Sequence, residues 1–253
     1  KAKELGCDYI ATGHYAKMEY SDEYGKYVLR KAKNLSKDQS YVLYNMPKQL
    51  LGKVLFPLGN FESKEDVRKI AKEHNLSVAS KPDSEDICFI PDGNYKKFLE
   101  QNSSIVPKEG NIVNRKGEIL GRHTGLYNYT IGQRKGLGIS YKAPLFVIGF
   151  NKERNEVIVG EQQELYRKEM KVNEVNLLLM DKIERTLDVT VKIRYASKPA
   201  EAIINQTEAG NIQVIFKEPQ RGITPLRGIC CKISCIRNCI LTLSIHTQSD
   251  LLY

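Results

Sequence analysis

No run of apolar residues in this sequence is long enough to cross a bilayer, which excludes a helical membrane span and predicts no membrane partner. No secretory or transit pattern is visible from Lys1 onward. Tryptophan is absent. Cysteine is scarce ahead of residue 226, where only Cys7 and Cys88 occur. That argues against an oxidised, secreted framework and for a cytoplasmic protein. Acidic residues are the minority charge, 30 Asp and Glu against 39 Lys and Arg, for a net charge of +9. Such a balance permits an anionic partner, nucleic acid first, without proving one. What is present is ordinary for a globular chain: 253 residues, 41% hydrophobic and 27% charged, enough for one or two domains with a core.

The chain opens on a helical turn, KAKEL, with Gly6 placed as a left-handed C-cap. Starting inside a helix, and on Lys1 rather than a methionine, it reads as part of a longer protein. CDYIAT predicts a short apolar strand of the buried parallel kind, with Cys7 in the core. TGHY follows at its carboxyl end, where open α/β sheets bind ligands. Gly13 lets backbone approach a ligand, and His14 could donate to a phosphate or base. An ordinary tight turn with a surface histidine is the plain alternative. Residues 27–33, YVLRKAK, read as a second strand. NLSKDQSYVLYNM predicts a helix with Val42, Leu43 and Met46 at helical spacing. Lys37, Asp38 and Gln39 then lie at or before its first turn, either binding an anion through free amides or simply capping the helix. SKEDVRKIAKEHN predicts a further, structural helix, with Ser63 and Asp66 spaced as a capping box and Val67, Ile70 and Ala71 as its apolar face.

The most unusual stretch is Lys81 to Asp92, KPDSEDICFIPD. Asp83, Glu85, Asp86 and Asp92 surround Cys88, and Pro82 and Pro91 oppose helix on either side. The thiol is either a buried structural cysteine or a reactive group at the rim of an acidic loop. From Gly93 the texture changes. NYKKFLEQN predicts one short helix, after which glycines alternate with short strands. Arg115 to Lys135 holds five basic residues beside Tyr127 and Tyr129. That mixture suits RNA phosphates and unstacked bases, or equally a solvated turn region. Arg134 and Lys135 are candidate RNA contacts. LFVIGF and EVIVG, joined by NKERN, predict a hairpin. DVTVKIRY alternates, sending Val189, Val191 and Ile193 inward and Thr190, Lys192 and Arg194 to solvent or a phosphate. AEAIIN and IQVIFK are further strands, and EPQRGITP a proline-bounded turn.

KPDSEDICFIPDGNYKKFL, followed downstream by YTIGQRKGLGI, resembles the tRNA-specific 2-thiouridylases of the MnmA type. These enzymes replace the 2-position oxygen of the wobble uridine with sulfur. The resemblance runs from Leu5 to about Pro225. It implies the α/β remnant of an ATP-pyrophosphatase domain (PP-loop, adenine nucleotide alpha hydrolase-like) over residues 1–92. A small central β-rich domain over 93–165 and a C-terminal β-barrel over 166–225 follow, then an anomalous tail over 226–253. It implies ATP, with Mg as its counterion, and tRNA as partner. Cys88 would be the catalytic cysteine that carries sulfur as a persulfide, loaded by a sulfur donor protein, either a cysteine desulfurase or a sulfur-relay protein. A second cysteine, upstream in the family, would release that sulfur by forming a disulfide bond with Cys88. Gly13 matches a glycine of the ATP site. His14, Lys37, Asp38, Gln39, Arg194 and Tyr195 match tRNA-binding residues. No metal site is implied.

After Pro225 the resemblance stops. Leu226 and Arg227 stand where the family has glycine and a tRNA-contacting glutamine. Four of the six cysteines fall here, at 230, 231, 235 and 239. Cys231, Cys235 and Cys239 would share a face if helical, but paired CxxC spacing is absent, which argues against zinc. A change of reading frame explains the shift, and predicts a closing barrel strand that is missing or poorly formed. The sequence also contains no glycine- and serine-rich phosphate loop, so the chain alone is expected neither to bind ATP well nor to complete thiolation. Two other readings stay open: a non-catalytic tRNA-binding module, and a sulfur-relay protein with no RNA role. The relay reading predicts no salt-dependent tRNA binding.

Overall fold

The computed structural model describes residues 1–80, 98, 101, 108–194, 197–207, 210–223, 227–235 and 239–246, the last two segments as backbone. The chain divides into two compact units. One comprises 1–80, 168–219 and 225–253, the other 81–167 and 220–224.

In the first unit a 3-10 turn over Lys3–Leu5 ends on Gly6 in the left-handed region (φ 70°, ψ 20°), as the sequence predicts. The strand expected over CDYIAT is reduced to β1 (Ile10–Ala11). β2 (Ala16–Ser21) and β3 (Lys26–Lys31) form an antiparallel hairpin, with Ala16 opposite Lys31 and Ser21 opposite Lys26. β4 (Val54–Leu55) pairs in parallel with β1. The direction of β1 is as expected, but its burial is not. Among the described residues β4 is its only strand neighbour, so Ile10 stays 43% exposed. Cys7 lies ahead of the strand and is exposed, not part of the core.

The helix predicted from NLSKDQSYVLYNM is a correction too. The backbone makes a 3-10 turn over Ser40–Leu43, and Pro47 stands before a second over Lys48–Lys53. Two causes are local. Asp38 captures the Ser40 hydroxyl and the Ala32 amide, and Pro47 cannot continue a helix. Leu43 and Met46 still pack inward, on a cluster of Ala16, Leu29, Leu51, Val54, Phe56 and Leu178. Gly59 is required here, because an added Cβ would lie 1.8 Å from the Ala16 carbonyl oxygen. α1 (Lys64–Glu73) forms with the predicted reciprocal capping box, Asp66 N–H donating to Ser63 Oγ (3.1 Å) and Ser63 N–H to Asp66 Oδ2 (3.2 Å). Its apolar face is only partly covered, with Ile70 41% exposed.

The second unit holds β5 (Gly110–Val113), β6 (Ile119–His123), β7 (Phe146–Asn151) and β8 (Glu156–Gly160), ordered β6-β5-β8-β7. The β7–β8 hairpin forms over NKERN as predicted. Ile112, Val147, Val157 and Val159 centre its core. His123 is 1% exposed and satisfied at both nitrogens. The Gly125 N–H donates to Nδ1 (3.1 Å), so Nε2 carries the proton and donates to the Asn155 carbonyl (3.0 Å).

The chain then returns to the first unit through β9 (Tyr166–Val172), β10 (Leu187–Lys192), β11 (Ala200–Gln206) and β12 (Ile212–Arg221). Alternation holds: Val189, Val191, Ala202, Ile204, Ile212, Val214 and Phe216 are all buried, as is Ile193 just past β10. EPQR is strand rather than turn. The β11–β12 ladder ends at Phe216, so the missing N–H of Pro219 breaks no bond in it, and Gly222 (φ 69°) makes the turn.

The tail also departs from expectation. β13 (Arg227–Cys235) pairs antiparallel with β10, and β14 (Cys239–His246) pairs with β13 and, at Cys239 opposite Arg30, with β3. The strand expected to be missing is therefore present as backbone. Isoleucine recurs along both segments and suits strand. The sheet runs β2-β3-β14-β13-β10-β11-β12-β9. Among the described residues no helix is long and apolar enough to cross a membrane. Lys81–Asp92 with Cys88, most of NYKKFLEQN, and Tyr195 lie outside the described residues.

Candidate nucleic-acid interface

The turn after β1 is pinned at both ends. Thr12 N–H donates to the Leu55 carbonyl (3.1 Å), and Ala16 N–H to the His14 carbonyl (3.0 Å). Within it Thr12 Oγ1 lies 2.9 Å from His14 Nδ1, and the His14 ring stands edge-on to Phe56 at 6.3 Å. The imidazole is thereby oriented while staying part-exposed. Gly13 is exposed, and an added Cβ would meet only Leu58 Cδ1 within 4 Å, at 3.9 Å.

Gln39 joins this turn to the KDQ triplet through two bonds. Its side-chain Oε1 accepts from Tyr15 N–H (3.0 Å), and its own N–H donates to the Tyr15 carbonyl (2.8 Å). Asp38 faces inward. Oδ1 accepts from Ala32 N–H (2.9 Å), and the Ser40 hydroxyl sits 2.6 and 2.7 Å from its two oxygens. With Asp38 and Gln39 so engaged, Lys37 is the exposed member of the triplet. Lys192, at the end of β10, places its ammonium 5.8 Å from the Tyr41 ring centre, within cation–π range. Arg194 follows in a turn closed by Ser197, whose hydroxyl donates to the Arg194 carbonyl (2.8 Å) and accepts from Arg194 N–H (3.0 Å).

Two cations of α1 join this group without having been singled out in the sequence. Partial burial lowers the Lys64 pKa from its ordinary value, and the like charges of Arg68 and Lys37 lower it further, against a smaller opposing effect of Glu65. Tyr15 is raised, first by burial and then by Glu65, with Arg68 opposing. Lys64 thus feels the charges of Arg68 and Lys37, and Tyr15 those of Glu65 and Arg68, which makes these cations a group with one carboxylate among them. Lys64 and Arg68 are four apart on an exposed helix, a spacing that by itself reads as a solvated face. Arrangements of this kind bind polyanions, because several cations held in register gain more from a phosphate chain than from water. Among the described residues no group of His, Cys, Asp and Glu is arranged to hold a metal ion.

Three family models match in succession. They are the tRNA methyl transferase HUP domain over residues 1–92, the tRNA methyl transferase PRC-barrel domain over 96–161, and the aminomethyltransferase beta-barrel domain over 167–226. An α/β part followed by β-rich parts is the order of fold classes the sequence predicts. Similar proteins include the tRNA-specific 2-thiouridylase MnmA of Acetivibrio thermocellus, 47% identical over 229 residues, covering 90% of this chain and 64% of the relative. That of Clostridioides difficile is 45% identical over 224 residues, 88% of this chain and 62% of the relative. That of Caldicellulosiruptor saccharolyticus is 48% identical over 229 residues, 90% and 63%. The chain thus spans less than two thirds of the length of these curated relatives.

Proposed function

The chain belongs to the tRNA-specific 2-thiouridylase (MnmA) family, and from that premise we propose that it supplies the tRNA-binding and sulfur-carrying parts of a cytoplasmic, ATP-dependent wobble-uridine 2-thiolation enzyme. The observation that carries this reading is the Gln39–Tyr15 bridge, which holds the KDQ triplet against the His14 turn. His14, Lys37, Gln39 and Arg194 contact tRNA, with Tyr195 beside Arg194. Asp38 serves by fixing the triplet through Ala32 and Ser40. The chain is organised as a catalytic part over 1–92, a central part over 93–165 and a barrel over 166–225.

Two of the matched models are described by methyl transfer, whereas the relatives are named for thiolation. A cysteine within an acidic, proline-bounded stretch favours the second chemistry, since thiolation needs a thiol that can carry sulfur. In this reading Cys88 accepts sulfur from a donor protein, a cysteine desulfurase or a sulfur-relay protein, and holds it as a persulfide. A second cysteine then releases that sulfur as a disulfide forms.

ATP with Mg is the cofactor the reading requires. A triphosphate needs several amide donors and cations converging on it. An added Cβ at Gly13 would meet only Leu58 within 4 Å, so backbone there is open to approach, but among the described residues it is not backed by a phosphate cradle. The fit is partial, and these 253 residues by themselves bind tRNA without thiolating it. Two measurements test the reading. Affinity for tRNA should fall steeply with salt, and incubation with ATP, sulfide and tRNA should give no 2-thiouridine. Absent or salt-independent tRNA binding would favour a sulfur relay instead. Robust turnover would overturn the claim of inactivity.

A further inference from the structure

The loop between β6 and β7 in the second unit is built around a basin of about 640 Å³, within the range of small-molecule sites. Arg134, Tyr141 and Lys142 are among its lining residues. The loop is fixed before any ligand arrives. Thr130 N–H donates to the Gln133 side-chain oxygen (3.0 Å), and the Gln133 amide donates to the Lys135 carbonyl (3.0 Å). Gly132 N–H donates to the Val147 carbonyl (2.7 Å), and Val147 N–H to the Gln133 carbonyl (2.9 Å). Ile131, Leu137 and Leu145 are buried and anchor it from below. Gly136 (φ 76°) and Gly138 (φ 66°) take left-handed turns that favour glycine.

Arg134 differs from three other arginines of its unit, which are neutralised. Arg115, Arg122 and Arg154 each pair with a glutamate, at 2.9, 3.6 and 3.4 Å. Arg134, Lys135 and Lys142 have no acidic partner among the described residues, and from Ile119 to Lys152 the sequence contains no Asp or Glu. Tyr141 is 41% exposed, and neither its ring nor its hydroxyl is engaged among the described residues. A preformed concavity with uncompensated cations and an open aromatic face matches one chemical unit, an unstacked nucleotide. Its phosphate would meet the cations and its base would stack on the ring.

The geometry points to the basin lined by Arg134, Tyr141 and Lys142 as a nucleotide-binding site of the second unit. Given the tRNA-binding function proposed above, on which the choice of source rests, its ligand is a single-stranded nucleotide of RNA. The phosphate meets Arg134 and Lys142, and the base lies on Tyr141.

The test uses the whole chain, labelled tRNA and a labelled short oligouridylate, with affinity read by fluorescence anisotropy across a salt series. Arg134→Ala combined with Lys142→Ala should flatten the log–log salt dependence by about 0.7 for each single-strand phosphate that is no longer neutralised. Tyr141→Ala should weaken oligouridylate binding about 5- to 150-fold, which is what one base stacked on an aromatic ring contributes, while Tyr141→Phe keeps the ring and the affinity. Lys116→Ala, an exposed cation outside the basin, serves as the charge control and should leave oligouridylate binding unchanged. Basin variants that bind both RNAs as the parent does, with the same slope, would overturn the inference while leaving tRNA binding intact. Oligouridylate binding that needs Arg134, in a chain that does not bind tRNA, would keep the basin and remove the tRNA reading. Uridine monophosphate competing as well as the oligonucleotide would overturn the assignment to RNA.

Discussion

Gln39 separates a structural role from a binding role, because two substitutions there have opposite signatures. Gln39→Ala removes the acceptor of the Tyr15 N–H and detaches the triplet's side-chain tether. A net hydrogen bond of this kind contributes about 0.5–1.5 kcal/mol. In a chain of this length that corresponds to a Tm lower by about 1–6 °C. Gln39→Glu keeps an oxygen where Tyr15 N–H donates, and leaves the Gln39 N–H to Tyr15 carbonyl bond untouched. It introduces a negative charge two residues from Lys37, on the hydrogen-bond partner of Tyr15, which itself feels the charge of Arg68. A carboxylate about 6 Å from a phosphate repels it by about 0.7 kcal/mol in water and about 1.4 kcal/mol where the dielectric constant is halved. Affinity for tRNA should then fall about 3- to 10-fold with Tm held. Melts followed by circular dichroism and anisotropy with labelled tRNA at one fixed salt concentration read both quantities. An Ala variant as stable as the parent, or a Glu variant that binds as tightly, would refute the bridge as the organiser of this surface.

Gly59→Ala places a Cβ 1.8 Å from the Ala16 carbonyl oxygen, at a residue whose own carbonyl accepts from Lys33 N–H, and should cost about 2–4 kcal/mol; an unchanged urea midpoint would count against the packing described. His123→Ala strands the Gly125 N–H and the Asn155 carbonyl, and should cost about 2–4 kcal/mol in the same assay; a destabilisation below about 0.5 kcal/mol, on the order of a surface substitution, would contradict the structural role of the two bonds. Lys64 has a folded-state pKa below 10.5, so its charged form is penalised at neutral pH and the penalty is relieved as pH rises from the folded towards the unfolded value. Bound polyanion should move its Nζ titration upward in NMR, and no movement on adding tRNA would place Lys64 outside the interface.

The parts of the fold that were legible are those set by spacing within one segment. Val189, Val191 and Ile193 alternate because a strand has period two, and they are buried. Ser63 and Asp66 cap α1 because a helix start leaves free amides three residues apart. What the sequence hid depends on partners distant in sequence or on single competing bonds. NLSKDQSYVLYNM has helical spacing, but the Asp38 carboxylate and Pro47 leave room for only a 3-10 turn. CDYIAT has the apolar content of a buried strand, yet only two of its residues find a partner strand among those described. At the interface, TGHY and KDQ could be picked out separately. That Gln39 would hold Tyr15, 24 residues away, could not. Lys64 and Arg68 carried no local mark, since the charge of Lys37 that Lys64 feels comes from another segment.

Two cationic features now stand in separate units, the Lys37–Lys64–Arg68 cluster in the first and the Arg134–Lys142 basin in the second. Whether one RNA engages both is decided by additivity. Neutralising independent cations within one complex gives free-energy penalties that add within about 0.5 kcal/mol, and each phosphate left without its cation lowers the salt slope by about 0.7–0.9. Lys37→Ala with Arg134→Ala should therefore reduce tRNA affinity by the product of the two single effects, with the slope reduced by their sum. If instead each unit holds its own RNA, titration reaches two RNAs per chain and each substitution weakens only one phase. A product of effects at a stoichiometry of one requires both units to grip the same molecule. Two phases would refute that, and would make the basin a site for an RNA other than the one held beside Gln39.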